Sequence, residues 1–231
     1  VMSKKEDKNW IVGLDIGTSK IMSVVAEVQS DSTLKVLGLG VASSSGMKRG
    51  VVVNIEACVQ SIQQAIREAE LMAACKITRV ITGITGSHIR GRNSVGMVAV
   101  RDREVTPADV AKVLETARAI NISTDQRPLL VEPQEFIIDG QEVKEPIGMS
   151  GIRLESKVHI VTCAQSAAEN IIKCVRRCGL EVDHLMLNPL ASSLATLTED
   201  ERELGVVLVD IGAGTTDIAV FSGGAIRHTA V

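Results

Sequence analysis

Val206-Val207-Leu208-Val209-Asp210-Ile211-Gly212-Ala213-Gly214-Thr215-Thr216-Asp217 is an apolar run that ends in an acid, a glycine-rich turn and a cluster of hydroxyl and acidic residues. Ile11-Val12-Gly13-Leu14-Asp15-Ile16-Gly17-Thr18-Ser19-Lys20 has the same plan, 195 positions earlier. In both copies an apolar strand closes on Asp-Ile-Gly and a second apolar strand follows at once, over residues 21–28 and 218–221. The gap is too short for a helix, so each copy predicts a hairpin. The offset between them is far longer than a solenoid period. It fits two related domains that face each other.

The residue types in these hairpins suit polyphosphate. Glycine lets a backbone approach a ligand closely. The exposed N–H groups of a tight turn, with Thr and Ser hydroxyls, cradle phosphate oxygens. An aspartate repels an anion by itself, but it holds Mg²⁺, usually through water, because Mg²⁺ keeps part of its hydration shell. One Asp-x-Gly hairpin is only a turn. Two matched copies, each bringing one Asp, predict a clamp on a polyphosphate and its Mg²⁺, where catalysis is mostly positioning and charge stabilisation. Neither copy is a Walker sequence, and neither is a G-x-G-x-x-G opening a helix, so a P-loop and a dinucleotide fold are both disfavoured.

The rest of the chain narrows the class. Its 231 residues allow one to two domains. Apolar residues make up 45% and charged residues 23%, the composition of a soluble globular protein. The net charge of −3 gives no electrostatic footprint for nucleic acid. Trp10, Phe136 and Phe221 are the only aromatics, too few for a base-stacking platform. No apolar run approaches the ~18 residues of a membrane span, and the polar residues 1–9 contain no signal-peptide core. Cys58, Cys75, Cys163, Cys174 and Cys178 have no disulfide framework and read as reduced cytosolic thiols. Cys174 and Cys178 share a helix face but lack a matching pair or a nearby His, so they read as small buried hydrophobes. His88, His159, His184 and His228 show no metal spacing and read as structural or surface residues.

Between the hairpins the pattern is mixed. A third strand covers 34–41, and Asn54 caps a helix running to about residue 75. Ile55, Cys58, Val59, Ile62, Ala65, Ile66, Ala69 and Met72 form the apolar face of that helix. Residues 78–84 read as a strand. Thr106-Pro107-Ala108-Asp109 starts a second helix, with Thr as cap, Pro at the first position and an acid three residues on. Strands are expected at 129–138 and 157–163. A helix over 166–178 is closed by Gly179. A short strand at 185–187, a helix over 189–197 and an acidic surface turn at 199–203 follow. Gly223-Gly224 reads as a hairpin turn before a last strand at 225–231. That strand has nothing after it to cover it, and Val1 precedes Met2, so the sequence reads as a truncated chain.

The Asp15-Ile16-Gly17-Thr18 and Asp210–Asp217 segments resemble the two phosphate motifs of the actin-like ATPase superfamily. Gly46-Met47-Lys48-Arg49-Gly50, Pro133-Gln134-Glu135-Phe136, Pro146-Ile147-Gly148-Met149-Ser150-Gly151, Lys157-Val158-His159-Ile160 and residues 197–205 further resemble the FtsA family of bacterial cell-division proteins, over about residues 10–231. The resemblance implies an α/β fold, an actin-like (ribonuclease-H-like) βββα core with an inserted α+β subdomain and a truncated second domain. It implies a first actin-like subdomain over 1–85, an inserted interaction subdomain over 86–163, a return to the first over 164–204, and the opening strands of the second over 205–231. By this likeness Asp15, Gly17, Thr18, Ser19 and Lys20 form one phosphate loop. Asp210, Gly212, Gly214, Thr215, Thr216 and Asp217 form the other, and Asp15 and Asp210 hold Mg²⁺ through water.

The family's cofactor is ATP with Mg²⁺. Many superfamily members carry Gln or Glu to orient the attacking water where this chain has Asn188, ahead of Pro189-Leu190-Ala191-Ser192, so hydrolysis is expected to be slow or negligible. The family's partners are FtsZ and the inner membrane, the latter through a C-terminal amphipathic helix; both contacts, and the adenosine-binding Gly motif, are expected beyond this chain. Further partners are copies of itself in actin-like filaments and later division proteins met through the 86–163 insertion. The expected location is the cytoplasmic face of the inner membrane at the division septum. A small-molecule kinase of the same superfamily, a chaperone-like ATPase and a pilus-assembly relative are the alternatives.

Overall fold

The computed structural model describes residues 10–231; residues 1–9, read above as free of a signal-peptide core, lie outside the described residues. Three strands come first, β1 (Trp10–Ile16), β2 (Lys20–Val28) and β3 (Leu34–Ser43). A small hairpin, β4 (Met47–Lys48) and β5 (Val51–Val52), leads to α1 (Ile55–Ala73) and β6 (Arg79–Ile84). The middle of the chain forms β7 (Arg90–Ala99), α2 (Pro107–Arg118), β8 (Gln126–Ile138), β9 (Gln141–Val143) and β10 (Arg153–Ala164). Then come α3 (Gln165–Arg177), β11 (Glu181–Leu187), α4 (Asn188–Thr196), α5 (Glu199–Leu204), β12 (Val206–Ile211), β13 (Thr216–Ser222) and β14 (Ala225–Ala230). The chain divides into two compact units. One holds the described residues through Ser87 with Ser166–Asn188 and Ile211–Thr215; the other holds His88–Gln165, Pro189–Asp210 and Thr216–Val231.

In the first unit, β1, β2 and β3 form an antiparallel meander, and β6 and β11 extend it in parallel, giving the order β11-β6-β1-β2-β3. This is the βββα core that the sequence implies. One sheet face buries Val12, Leu14, Ile16, Ile21, Val25, Val80 and Ile84, alternate residues along each strand as a half-covered sheet requires. α1 turns Cys58, Ile62, Ala65 and Ala69 inward, at helical spacing. Each fully buried aliphatic side chain stabilises the fold by about 1.5–3 kcal/mol. Gly38 and Gly40 let β3 and α1 approach closely: a Cβ on Gly38 would lie 2.7 Å from the Ala69 carbonyl oxygen, and one on Gly40 would collide with that of Ala65. The edge of β3 is capped by α1, because the Val41 N–H donates to the Glu68 carboxylate at 3.1 Å. Met72, expected on the buried face, is 63% exposed at the overhanging end of α1, where its sulfur accepts the Leu39 N–H.

α3 joins α1 through an Arg177–Glu56 ion pair and a cysteine cluster. Cys58 and Cys174 are buried and hydrogen-bonded to each other; that bond, then burial, raises the Cys58 thiol. Cys178 is half-buried rather than fully buried, its thiol donating to the Cys174 carbonyl, and burial pushes its pKa up to about 11. A thiol so raised is a poor nucleophile, in keeping with a packing role.

In the second unit, β7, β10, β8 and β9 form an antiparallel sheet with α2 on one face. Val98, Val105, Val113, Ile138 and Leu154 make its core, and Ala117, Val158 and Ile160 continue it. α2 begins with the expected capping box, Thr106 and Asp109 exchanging side-chain to backbone hydrogen bonds. β7 carried no clear strand signal, because Arg90-Gly91-Arg92-Asn93 opens it with polar residues and a glycine. The acidic segment expected as a turn at 199–203 is instead α5. Thr198 and Glu201 form a second capping box there, and acids in the first turn suit the helix N-terminus. β12, β13 and β14 form a three-stranded sheet packed on Leu130 and Leu197 through Ala219, Phe221 and Ile226.

Buried polar groups tie β14 into the second unit. His159 is 1% exposed, with Nδ1 2.6 Å from the Asn93 Oδ1 and Nε2 2.9 Å from the Thr229 Oγ1. The Gln134 amide donates to the Ile226 carbonyl at 2.8 Å. Burial, with the nearby His228 charge, lowers the His159 pKa from 6.5 to about 4, so the ring is neutral at pH 7.

Candidate functional site

The two copies of the repeated motif fold into the same turn. In the first, the Gly17 N–H donates to the Lys20 carbonyl at 3.0 Å; in the second, the Gly212 N–H donates to the Thr215 carbonyl at 2.9 Å. The hydrogen bond falls at equivalent positions, so the 195-residue offset holds in space as well as in sequence. A Cβ on Gly17 would lie 2.8 Å from the Lys20 carbonyl oxygen, and one on Gly212 would lie 3.2 Å from that of Thr215. Glycine is therefore what each turn accommodates.

Within the first unit the two turns meet. A Cβ on Gly214 would come 2.6 Å from the Thr18 Oγ1 and 3.0 Å from the Arg49 Cα. The Thr18 hydroxyl oxygen accepts the Gly50 N–H at 3.1 Å. Its own proton is left to donate to a ligand oxygen. The Ser19 carbonyl accepts the Ser44 N–H at 3.0 Å, which anchors the first turn from its other side. Asp15 is next to last in β1, opposite Met22, and is exposed, as are Ser19 and Lys20. Gly212 is exposed, and Gly214 and Thr215 are half-buried.

Asp210, Thr216 and Asp217 fall in the second unit. Asp210 is half-buried and accepts the Ser192 hydroxyl at 2.8 Å, a hydrogen bond from α4 that fixes the carboxylate. Thr216 starts β13 on the exposed side. Asp217 is 3% exposed within that strand, so its carboxylate is enclosed by the fold. Asn188, at the position expected to orient water, fills the space over Gly83 with its amide oxygen: a Cβ on Gly83 would collide with it.

Two contributors were not singled out from the motifs. Ser192 is the orienting partner of Asp210; its signal was a hydroxyl four residues past the start of a short helix, which only the tertiary fold joins to a strand end. The Arg49-Gly50 turn is the other. Its signal was partial, since Gly50 suits the second position of a tight hairpin but arginine is not a residue the first position favours. The structure gives φ of 50° and 74° there.

A family model described as the SHS2 domain inserted in FtsA matches residues 86–162. The cell division protein FtsA of Pseudomonas aeruginosa is 60% identical over 231 residues, covering all of this chain and 55% of the relative. That of Neisseria meningitidis is 55% identical over 228 residues, 98% of this chain and 55% of the relative. That of Escherichia coli K12 is 49% identical over 231 residues, with the same 55% share of the relative. The chain thus spans about half the length of these relatives. Among solved structures, the PilM-PilN type IV pilus biogenesis complex aligns with a TM-score of 0.64 at 19% identity, over 95% of this chain and 60% of the other. The ethanolamine utilization protein EutJ from Carboxydothermus hydrogenoformans aligns with 0.53 at 18%, over 98% and 53%. These likenesses establish the fold: actin-like, carrying an SHS2 insertion.

Proposed function

Because the chain belongs to the FtsA family of cell-division proteins, we propose that it is part of an ATP-binding, actin-like protein that polymerises, tethers FtsZ to the inner membrane and recruits later division proteins. The observation that carries the nucleotide reading is the close approach of Gly214 to Thr18, which joins two turns of identical hydrogen bonding. These turns suit a polyphosphate in their chemistry. Any side chain on Gly214 would force them apart, and the Thr18 hydroxyl proton is available to a ligand oxygen. Gly17, Thr18, Ser19 and Lys20 would bind phosphate oxygens from one turn. Gly212, Gly214, Thr215 and Thr216 would bind them from the other.

By the family likeness Asp15 and Asp210 would each offer a carboxylate to Mg²⁺ through water, and the Ser192 hydroxyl orients Asp210. The bound ion would neutralise charge on the phosphates. Asp217 would complete the second turn's set from within β13, where it is 3% exposed. Hydrolysis is slow in this reading, because Asn188 stands where many superfamily members carry the Gln or Glu that orients the attacking water. Filament growth, FtsZ and membrane attachment use the whole protein, and the 86–163 region serves subunit and divisome contacts at the cytoplasmic face of the inner membrane.

The test is Mg-ATP binding by the full-length protein, measured by calorimetry. Asp210→Ala is expected to abolish it while leaving the circular dichroism spectrum unchanged. Undiminished affinity would refute the site.

A further inference from the structure

The geometry points to Arg49 as a phosphate-recognising residue that neutralises the polyphosphate seated at the two turns; this inference rests on the nucleotide reading above. Three observations carry it. First, Arg49 and Gly50 are the two central residues of the β4–β5 hairpin, with φ of 50° and 74°. Turns of this kind favour Asn or Gly at the first position, and an L-residue with a long side chain is penalised there. An arginine held in so unfavourable a backbone conformation marks a place where the side chain has a task.

Second, both turns of the site converge on this dipeptide. The Gly50 N–H donates to the Thr18 Oγ1, and Gly214 packs on the Arg49 Cα. A Cβ on Gly50 would lie 3.0 Å from the Thr85 carbonyl oxygen and 3.1 Å from the Gly86 Cα, so the hairpin tip is also held from behind. The backbone of Arg49 is therefore fixed beside the cradle, with a side chain long enough to reach an oxygen held by either turn.

Third, that side chain is exposed and enters none of the ion pairs among the described residues, in a chain whose net charge is −3. A cation that no carboxylate among the described residues pairs with is available to an anionic ligand. The guanidinium fork matches phosphate oxygens in pairs, and its charge is permanent.

The experiment compares Mg-ATP affinity and apo melting temperature in full-length wild type, Arg49→Asn and Arg49→Lys. Asn keeps the turn, since it tolerates positive φ, and removes the charge. Arg49→Asn is expected to weaken Mg-ATP binding about tenfold or more, with no fall in melting temperature, and Arg49→Lys to recover part of the loss. Affinity for Arg49→Asn within about twofold of wild type would overturn the role of Arg49 while leaving the nucleotide site intact. A fall in melting temperature matching the loss of affinity would overturn it too, by making the effect structural. A wild-type protein that does not bind Mg-ATP would overturn both the inference and the reading beneath it.

Discussion

His159 shows how one residue couples burial to pH. Its pKa lies at about 4 in the folded chain, against an ordinary value of 6.5, with burial the larger cause. Between those values the unfolded chain binds a proton that the folded chain does not, so stability rises with pH across the window. The stabilisation is complete above about pH 6.5 and is lost as pH falls toward 4, by up to about 3 kcal/mol. Urea unfolding of wild type and His159→Gln as a function of pH is the check: the advantage of wild type should shrink as pH falls through that window. A constant difference would mean that the ring does not titrate differently in the two states. His159 stands in the Lys157–Ile160 segment with no local sign of its partners, because Asn93 and Thr229 lie 66 and 70 residues away along the chain. The turns at Gly17 and Gly212 were legible for the opposite reason: their hydrogen bonds close over three residues. Arg49 and Ser192 sat in view without announcing their neighbours, since what matters about each is a contact made by folding.

At the scale of elements, the local rules worked where a single signal dominated. Asn54 caps α1 by accepting the Ala57 N–H, Thr106 and Asp109 box the start of α2, and Gly179 takes φ of 78° after α3. Thr106→Ala should lower stability by about 1 kcal/mol, read as a drop in the denaturant midpoint. The rules failed where signals competed. The acids that suggested a solvated turn at 199–203 are first-turn residues of α5, and the Thr198 to Glu201 spacing was the better guide. β7 was hidden by its polar start and is defined by ten residues of pairing with β10, a partner remote in sequence. The packing of β3 on α1 was equally hidden, since it depends on what Gly38 and Gly40 lack. Gly40→Ala would push a methyl into the Ala65 carbonyl, and overpacking against backbone costs about 1–3 kcal/mol. A melting temperature unchanged by Gly40→Ala would mean that the two elements have slack between them.

At the scale of the molecule, the duplicated motif carried the fold. An actin-like core is two copies of one idea, and a repeat at an offset of 195 residues leaves room for an inserted domain between them. The SHS2 match over 86–162 places a known inserted domain in that interval. Among the described residues no helix is long and apolar enough to cross a membrane. In the proposed function, membrane attachment uses a C-terminal amphipathic helix beyond this chain, and vesicle co-sedimentation of the full-length protein is its check. In the proposed function the two matched turns, which touch where Gly214 lacks a side chain, form one polyphosphate site. Calorimetric titration of Mg-ATP into full-length wild type and Gly214→Val tests it most directly. Binding by wild type with a loss of at least about tenfold in the variant, at matched secondary structure, is the predicted result. Equal affinity in the two proteins would contradict the account.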